Sequence, residues 1–395
     1  MTGSPSDPAL FDVVVLGGAI AGAAMARALA EVPGTRVALV ARDAAPVPAG
    51  EGFDARIYAI SPGNAGFLAS LGAWNGMDLS RATPVTAMRI QGDRDPGALH
   101  FDAYRTGAAE LAWIVEDSQL QAGLQRSLAG QRQLSRWTAG LVSMTPGPDA
   151  QDLTLDDGTR LRARLVVGAD GARSPVRGMS GLGATEIPYG QSAVVANFRA
   201  ARPRAGVAWQ WFQGGPVLAL LPLPAGHVSM VWSTAEAEAA RLAALTPEAL
   251  CAAVAEASRG ALGELRLVTP PRIFPLRRLS VSRMVAPRVA LVGDAAHVVH
   301  PLAGQGANLG LQDVRDLAGI LLNREPGRDA GDPRLLRRYE RARAEPVLAM
   351  QATVHGLHRL FGAPAAAAAP LRNAGMAALD RLPALKNLLV RHAMH

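Results

Sequence analysis

The residues with the most chemistry to offer sit at strand ends. Asp12-Val13-Val14-Val15-Leu16 is an apolar run of the kind a buried strand shows, and it leads into Gly17-Gly18-Ala19-Ile20-Ala21-Gly22 before a helical stretch through Glu31. Glycines at such a junction let the backbone approach a pyrophosphate, whose charge then meets free amides and the positive end of the helix. A strand-to-helix turn without any ligand would carry the same glycines, so the motif alone leaves both readings open. Two similar units lie downstream, Leu165 to Ala169 running into Asp170-Gly171, and Val289 to Val292 running into Gly293-Asp294.

The glycine turn departs from the dinucleotide fingerprint on its nucleotide side. Ala19 replaces the middle glycine, with its methyl where a phosphate must come closest. Ala41 ends the second strand, Arg36 to Val40, where a ribose-binding acid is expected about twenty residues on. Asp43 stands two positions late.

Other constellations carry less. His297 and His300, His355 and His358, and His392 and His395 each have H-x-x-H spacing, but no cysteine cluster or suitably spaced carboxylate completes a metal site, and none is expected. The single cysteine, Cys251, lies in an alanine-rich helical pattern and reads as a small buried hydrophobe. Neither the G-x-S-x-G elbow of serine hydrolases nor the G-x-x-x-x-G-K-[ST] phosphate loop is found.

To hold three strand-end motifs together, the chain needs a parallel sheet interrupted by long excursions. With 395 residues, 49% of them hydrophobic, it is too long for one core. Between the second and third motifs, Val194 to Phe198, Val207 to Phe212, Val217 to Leu221 and Val228 to Trp232 are short runs separated by Pro and Gly, as in an antiparallel sheet. A discontinuous α/β domain with an inserted sheet domain follows. After Arg334 the pattern is helical, broken by Pro346, Pro364, Pro370 and Pro383. Trp209, Trp211, Phe212 and Trp232 fall on the inserted strands, where they either pack the sheet core or line an apolar pocket. Leu382, Leu385, Leu388 and Leu389 with Lys386 and Arg391 have helical spacing, for packing or for contact with a membrane surface.

The net charge of +7 comes from scattered arginines often interleaved with acids, as in Arg334 to Glu345, which reads as a solvated helix face. Lys386 is the single lysine, and no basic stripe with stacking aromatics points to nucleic acid. A basic surface is still drawn to anionic lipid headgroups. The apolar stretch Phe11 to Ala30 follows Asp7 rather than a basic region, so neither a signal peptide nor a spanning helix is expected.

Longer blocks carry a resemblance. Arg288 to Asp313, RVALVGDAAHVVHPLAGQGANLGLQD, is similar to the second FAD signature of the FAD-dependent aromatic hydroxylases, and LVVGADGARSPVR, Leu165 to Arg177, resembles their Asp-Gly motif. FDARIYAIS (Phe53 to Ser61), WIVEDSQLQ (Trp113 to Gln121), VAWQWFQGGPVLALLPL (Val207 to Leu223) and the tail from Tyr339-Glu340-Arg341 through Leu357-His358-Arg359-Leu360-Phe361 to Leu385-Lys386 resemble the ubiquinone-biosynthesis branch. The resemblance implies an α/β fold like that of p-hydroxybenzoate hydroxylase. In it a Rossmann-like FAD-binding domain (10–80, 111–180 and 273–340) accompanies an antiparallel-sheet substrate domain (81–110 and 181–272) and a C-terminal helical region (341–395).

It also implies a cofactor, FAD, with NAD(P)H as electron donor. Reduced flavin adds dioxygen as a C4a-hydroperoxide that hydroxylates a lipophilic phenol or quinol ring. The implied cofactor residues are Gly17, Gly18, Ala19, Gly22, Arg56, Asp170, Gly171, Gly293, Asp294, Gly304, Gln305, Gly306 and Asn308. Arg56 would reach the diphosphate, Asp294 would accept ribityl hydroxyls, and the Gly304 to Gly306 amides would face the flavin's pyrimidine edge. Pro301 and His300 would wall the reacting pocket.

Asp117 departs from the Arg or Asn usual in the family beside the cofactor. With Ala19 and Ala41 it implies weaker FAD binding, unless Asp43 and an arginine compensate. A cytoplasmic enzyme at the inner face of the membrane is expected, with other ubiquinone-biosynthesis proteins or a second copy as further partners. Competing readings are a flavin hydroxylase of a small soluble aromatic and a flavin-poor accessory subunit.

Overall fold

A computed structural model describes residues 8–42, 50, 52–92, 98–300 and 306–362. Its first sheet is built on Ala9–Leu16, whose last four residues are buried on both faces, as a central parallel strand requires. Parallel neighbours are Arg160–Gly168 on one side and Val37–Val40 on the other, with Val289–Leu291 and Leu134–Trp137 beyond them. Thus the three strand-end motifs belong to adjacent strands. The helix α1 (Ile20–Ala30) covers this sheet. It is followed by α2 (Pro62–Ser70), α3 (Ala103–Thr106), α4 (Asp117–Leu128) and α5 (Pro175–Met179). Next come α6 (Glu236–Ala243), α7 (Pro247–Ala257), α8 (Gly306–Leu322) and α9 (Pro333–Gly362). Both α4 and α8 pack against α1.

The second sheet runs in the order His297–Val298, Arg272–Val281, Ala184–Ala200, His227–Ala235, Val217–Pro222, Val207–Phe212, Ala87–Gln91 and Ala98–Asp102. Strand alternation divides its side chains. Trp209, Trp211, Leu218, Leu220, Met230 and Trp232 pack with Leu242 of α6 and with Leu250 and Val254 of α7. These tryptophans are therefore core residues. Cys251 is partly buried against the same core. The other face presents an apolar patch of Ala193, Val195 and Leu276 with Tyr189, Val231 and Phe274.

Three expectations need correcting. Arg272–Val281, placed in the FAD-binding part by its boundary at 273, pairs instead with Ala184–Ala200, and the chain rejoins the first sheet only at Val285–Ala286. Its alternating arginines and apolar residues suit a half-exposed strand of an antiparallel sheet rather than a buried parallel one. Thr83–Val85, expected in the substrate domain, pairs with Ala112–Glu116, which also pairs with Ile57–Ile60 in a three-stranded sheet. Finally, Pro346 lies inside α9 without ending it, because losing one backbone donor is tolerated where packing of Leu335, Leu336 and Tyr339 anchors the helix. The segment 382–391 lies outside the described residues.

Candidate active site

Gly17 adopts φ +111°, and a β-carbon there would fall 2.2 Å from the Ala169 carbonyl oxygen. At Gly22 it would fall 1.8 Å from the Gly17 carbonyl oxygen. The glycine turn is thus pressed against the strand end carrying Asp170. The first turn of α1 has neither a side-chain cap nor an acidic residue, which leaves its leading amides open to an anion. Ala19, just before it, has an ordinary φ of −75° and an exposed methyl, so the departure from glycine strains no backbone.

Asp170 turns inward. Its carboxylate accepts from Ser174 Oγ at 2.5 Å and from the Val176 amide at 3.0 Å, and burial raises its pKa while these bonds oppose the rise. It shapes the loop at Gly171, whose φ is +82°. From the same loop, Arg177 donates to the carbonyls of Ala172 (2.8 Å) and Ala295 (2.9 Å), tying the second motif to the third. Gly293, Ala21 and Gly310 are small enough for that turn, α1 and α8 to close on one another. Asp294 stays exposed, yet it lies in a recess where burial raises its carboxyl above the usual range, against the pull of His297 and Arg56. Gly17 against Ala169, Arg177 on the Ala295 carbonyl and Gly293 against Ala21 thus bring the three turns together at the carboxyl ends of the strands, where α/β sheets bind nucleotides.

A cavity of about 430 Å³ is lined by Phe53, Asp54, Ala55, Arg56, Asp117, Thr269, Pro270, Arg272 and Phe274, and its Arg56 interacts electrostatically with Asp294 of the third turn. Arg56 lies over the Phe274 ring at 5.5 Å. Tyr58, hydrogen-bonded to it, outweighs burial in keeping Arg56 charged, and Asp117 adds to this. Burial, with Asp117, holds the Tyr58 phenol protonated far above its ordinary range. Asp117 therefore has an arginine beside it, one of the compensations expected; Asp43, the other, lies outside the described residues. Asp117→Asn removes a carboxylate near the phosphate path and frees Arg56, so FAD titrations of the apoprotein should show affinity rising by about threefold to tenfold.

Asn308 is buried in the first turn of α8. Its side chain accepts from the Ser61 amide (2.9 Å) and Asn64 Nδ2 (2.9 Å) and donates to the Ala59 carbonyl (2.8 Å), binding α8 to the block after Arg56. His300 is buried, with Nε2 at 3.3 Å from Gln191 Oε1 and its ring edge-on to Tyr189, over the apolar patch of the second sheet. Gly306 begins α8, which has no acid in its first turn. Pro301, Gly304 and Gln305 lie outside the described residues.

Sequence reading missed the charges that hold these parts. Glu116 is fully buried and pairs with Arg81 through two bonds of 2.7 and 2.8 Å. Asn197 of the second sheet donates to the Asp54 carbonyl at 2.9 Å. Asp313 meets His297 and Arg343; the latter contradicts the solvated face read over Arg334 to Glu345. An acid at the end of an apolar strand, as in Trp113-Ile114-Val115-Glu116, was the available signal.

The His297–Asp313 pair makes stability depend on pH. Burial works against the charge of His297, but Asp313 outweighs it and raises the pKa; burial likewise opposes ionisation of Asp313, and His297 with Arg343 lowers its pKa overall. Arg343 and Asp294 are the other charges facing His297. The raised histidine stabilises fully below its unfolded value of about 6.5 and the lowered carboxylate fully above about 3.9. Each contribution is lost as pH passes the folded value, upward for His297 and downward for Asp313. Urea midpoints across pH should accordingly show wild type exceeding His297→Gln most at about pH 4–6.5 and converging with it in alkali.

The geometry fits the implied cofactor: open helix amides and Arg56 for a diphosphate, and an exposed carboxylate for ribityl hydroxyls. A family profile described as an FAD binding domain matches residues 11–353. Ubiquinone hydroxylase UbiL of Rhodospirillum rubrum is 35% identical over 100% of this chain and 91% of its own length. The 3-demethoxyubiquinol 3-hydroxylase of Escherichia coli is 32% identical over the whole of both chains. Among solved structures, PqsL of Pseudomonas aeruginosa superposes with TM-score 0.76 at 23% identity, covering 93% of this chain and 100% of the other.

Proposed function

Because this chain belongs to the FAD-dependent hydroxylases of ubiquinone biosynthesis, we propose that it hydroxylates the aromatic ring of a polyprenylated phenol or quinol, using dioxygen and electrons from NAD(P)H. The observation that carries this reading is the packing of the glycine turn on the Asp170 loop and of that loop on the Gly293–Asp294 turn, at the strand ends beside Arg56.

FAD, once reduced, supplies the activation of dioxygen that no side chain can provide. The residues around it bind, orient and dry the site. The open amides of α1 and Arg56 would hold the diphosphate, and Asp294 would accept hydrogen bonds from the ribityl hydroxyls. The start of α8 at Gly306 would favour negative charge at the ring's pyrimidine edge. His300 and the patch of Ala193, Val195, Val231 and Leu276 would face the substrate ring and exclude water. One oxygen atom enters the ring and the other leaves as water.

No helix among the described residues is long and apolar enough to cross a membrane. A polyprenylated substrate resides in the bilayer, so a peripheral location on the cytoplasmic face, held by the basic surface, suits this function.

The test is to add FAD to the purified protein, remove the excess and record the visible spectrum, then supply NAD(P)H with a prenylated phenol. Bound oxidised flavin and a product heavier by one oxygen atom are expected. A protein that stays colourless would overturn the proposal in favour of an accessory subunit. Turnover restricted to small unprenylated aromatic acids would shift the substrate class instead.

A further inference from the structure

One buried charge cluster takes no part in the chemistry above. Asp313, in the second turn of α8, is 0% exposed, and its carboxylate accepts three hydrogen bonds. They come from the Gly293 amide at 2.9 Å, His297 Nε2 at 2.6 Å and Arg343 Nε at 2.7 Å. Arg343 stands on α9 and is 2% exposed; it also reaches Asp316 (3.0 Å), Gln312 (3.3 Å) and the Leu309 carbonyl (3.5 Å). One turn earlier on α9, Tyr339 donates to the Leu291 carbonyl at 2.8 Å. α9 therefore grips the strand that ends in Gly293, and α8 that follows it, at separate points.

Burying a carboxylate, a guanidinium and an imidazole incurs a desolvation penalty that well-packed apolar side chains would avoid. What apolar side chains cannot do is fix direction. Only an acceptor placed like Asp313 can orient the Gly293 amide, and only a fork like that of Arg343 can hold Asp313 and Asp316 on one helix together. Gly293 immediately precedes Asp294, and α8 begins at Gly306, whose amide is assigned to the flavin. Both cofactor contacts are thus set by one carboxylate, and that carboxylate is set from α9.

We infer that Arg343, acting through Asp313 and His297, is a positioning residue for the cofactor, so that α9 governs both FAD affinity and the reduction potential of the bound flavin. The inference rests on the FAD-hydroxylase reading of the same site.

The experiment compares wild type with Arg343→Lys, Arg343→Met and His297→Gln. Far-UV circular dichroism melts of the apoproteins establish folding, titration with FAD gives affinity, and dye-coupled reduction gives the midpoint potential. Arg343→Lys keeps the charge and loses the fork; it is expected to melt close to wild type and yet bind FAD about tenfold more weakly, the worth of one charge-assisted hydrogen bond. Arg343→Met should be weaker still. His297→Gln keeps a donor toward Asp313 but not the charge, and its flavin should be harder to reduce. FAD affinity and potential indistinguishable from wild type in folded Arg343→Lys and His297→Gln would overturn the inference. These two variants decide it even where Arg343→Met fails to fold. Wild type that takes up no FAD would instead sink the underlying reading of the site.

Discussion

Replacing Gly17 with alanine is expected to destabilise the protein by about 2–5 kcal/mol and to abolish FAD retention. Two independent penalties meet at this residue. Its φ of +111° lies where a side chain is strained, and the new methyl would stand 2.2 Å from the Ala169 carbonyl oxygen, 2.5 Å from its carbon and 2.9 Å from the Asp170 amide nitrogen. All three atoms are backbone, so no rotamer change relieves the contact. The turn must move, and the leading amides of α1 move with it. Gly34→Ala provides the control, since its φ is +80° but no heavy atom lies within 4 Å; about 1–2 kcal/mol of strain is all it should show. Urea denaturation and the visible spectrum of the reconstituted proteins read both effects. Normal flavin content in Gly17→Ala would show that the turn does not face the cofactor.

Arg81→Met should cost about 3–5 kcal/mol, the usual result of stranding a buried charge. Glu116 is shielded completely from water, and Arg81 gives it two hydrogen bonds while also donating to the Gly52 carbonyl at 2.5 Å. Glu116 in turn accepts from the Asp54 amide at 2.8 Å. Asp54 closes the loop by accepting from the Ser118 amide at 2.7 Å. The pair thus fastens the chain entering Arg56, so FAD affinity should fall along with stability. Pairing Arg81→Met with Glu116→Leu removes the stranded charge, and most of the lost stability should return. Thermal and denaturant melts of the single and double variants test this; a double variant as unstable as Arg81→Met would mean that the loop contacts, rather than the charge, set the cost.

The parts of this protein that were legible in its sequence are those where one physical signal dominates. Val13 to Leu16 had to be a buried strand, and the glycines after it had to turn. The short runs from Val194 to Trp232 are strands that pair antiparallel with one another, the first beside the last, while Val207–Phe212 pairs parallel with Ala87–Gln91. Arg272–Val281 was misplaced because its arginines and apolar residues alternate in a way that names a strand without naming its sheet. Arg343 was hidden for a different reason. It lies among Arg334, Arg337, Arg338 and Arg341, all exposed, and only the packing of α9 against α8 separates the buried guanidinium from its solvated neighbours. A buried charge is recognised by its partner, and Asp313 is far from it along the chain.

The bond from the Ser61 amide to Asn308 joins residues 247 apart. During synthesis, Ala9–Leu16 must therefore wait for its partner Arg160–Gly168, and the block at Ser61 for α8. The assembly of these parts is correspondingly late, and their apolar surface stays exposed over that interval. FAD, whose site exists only after this assembly, can stabilise the finished protein by mass action but cannot template its early steps.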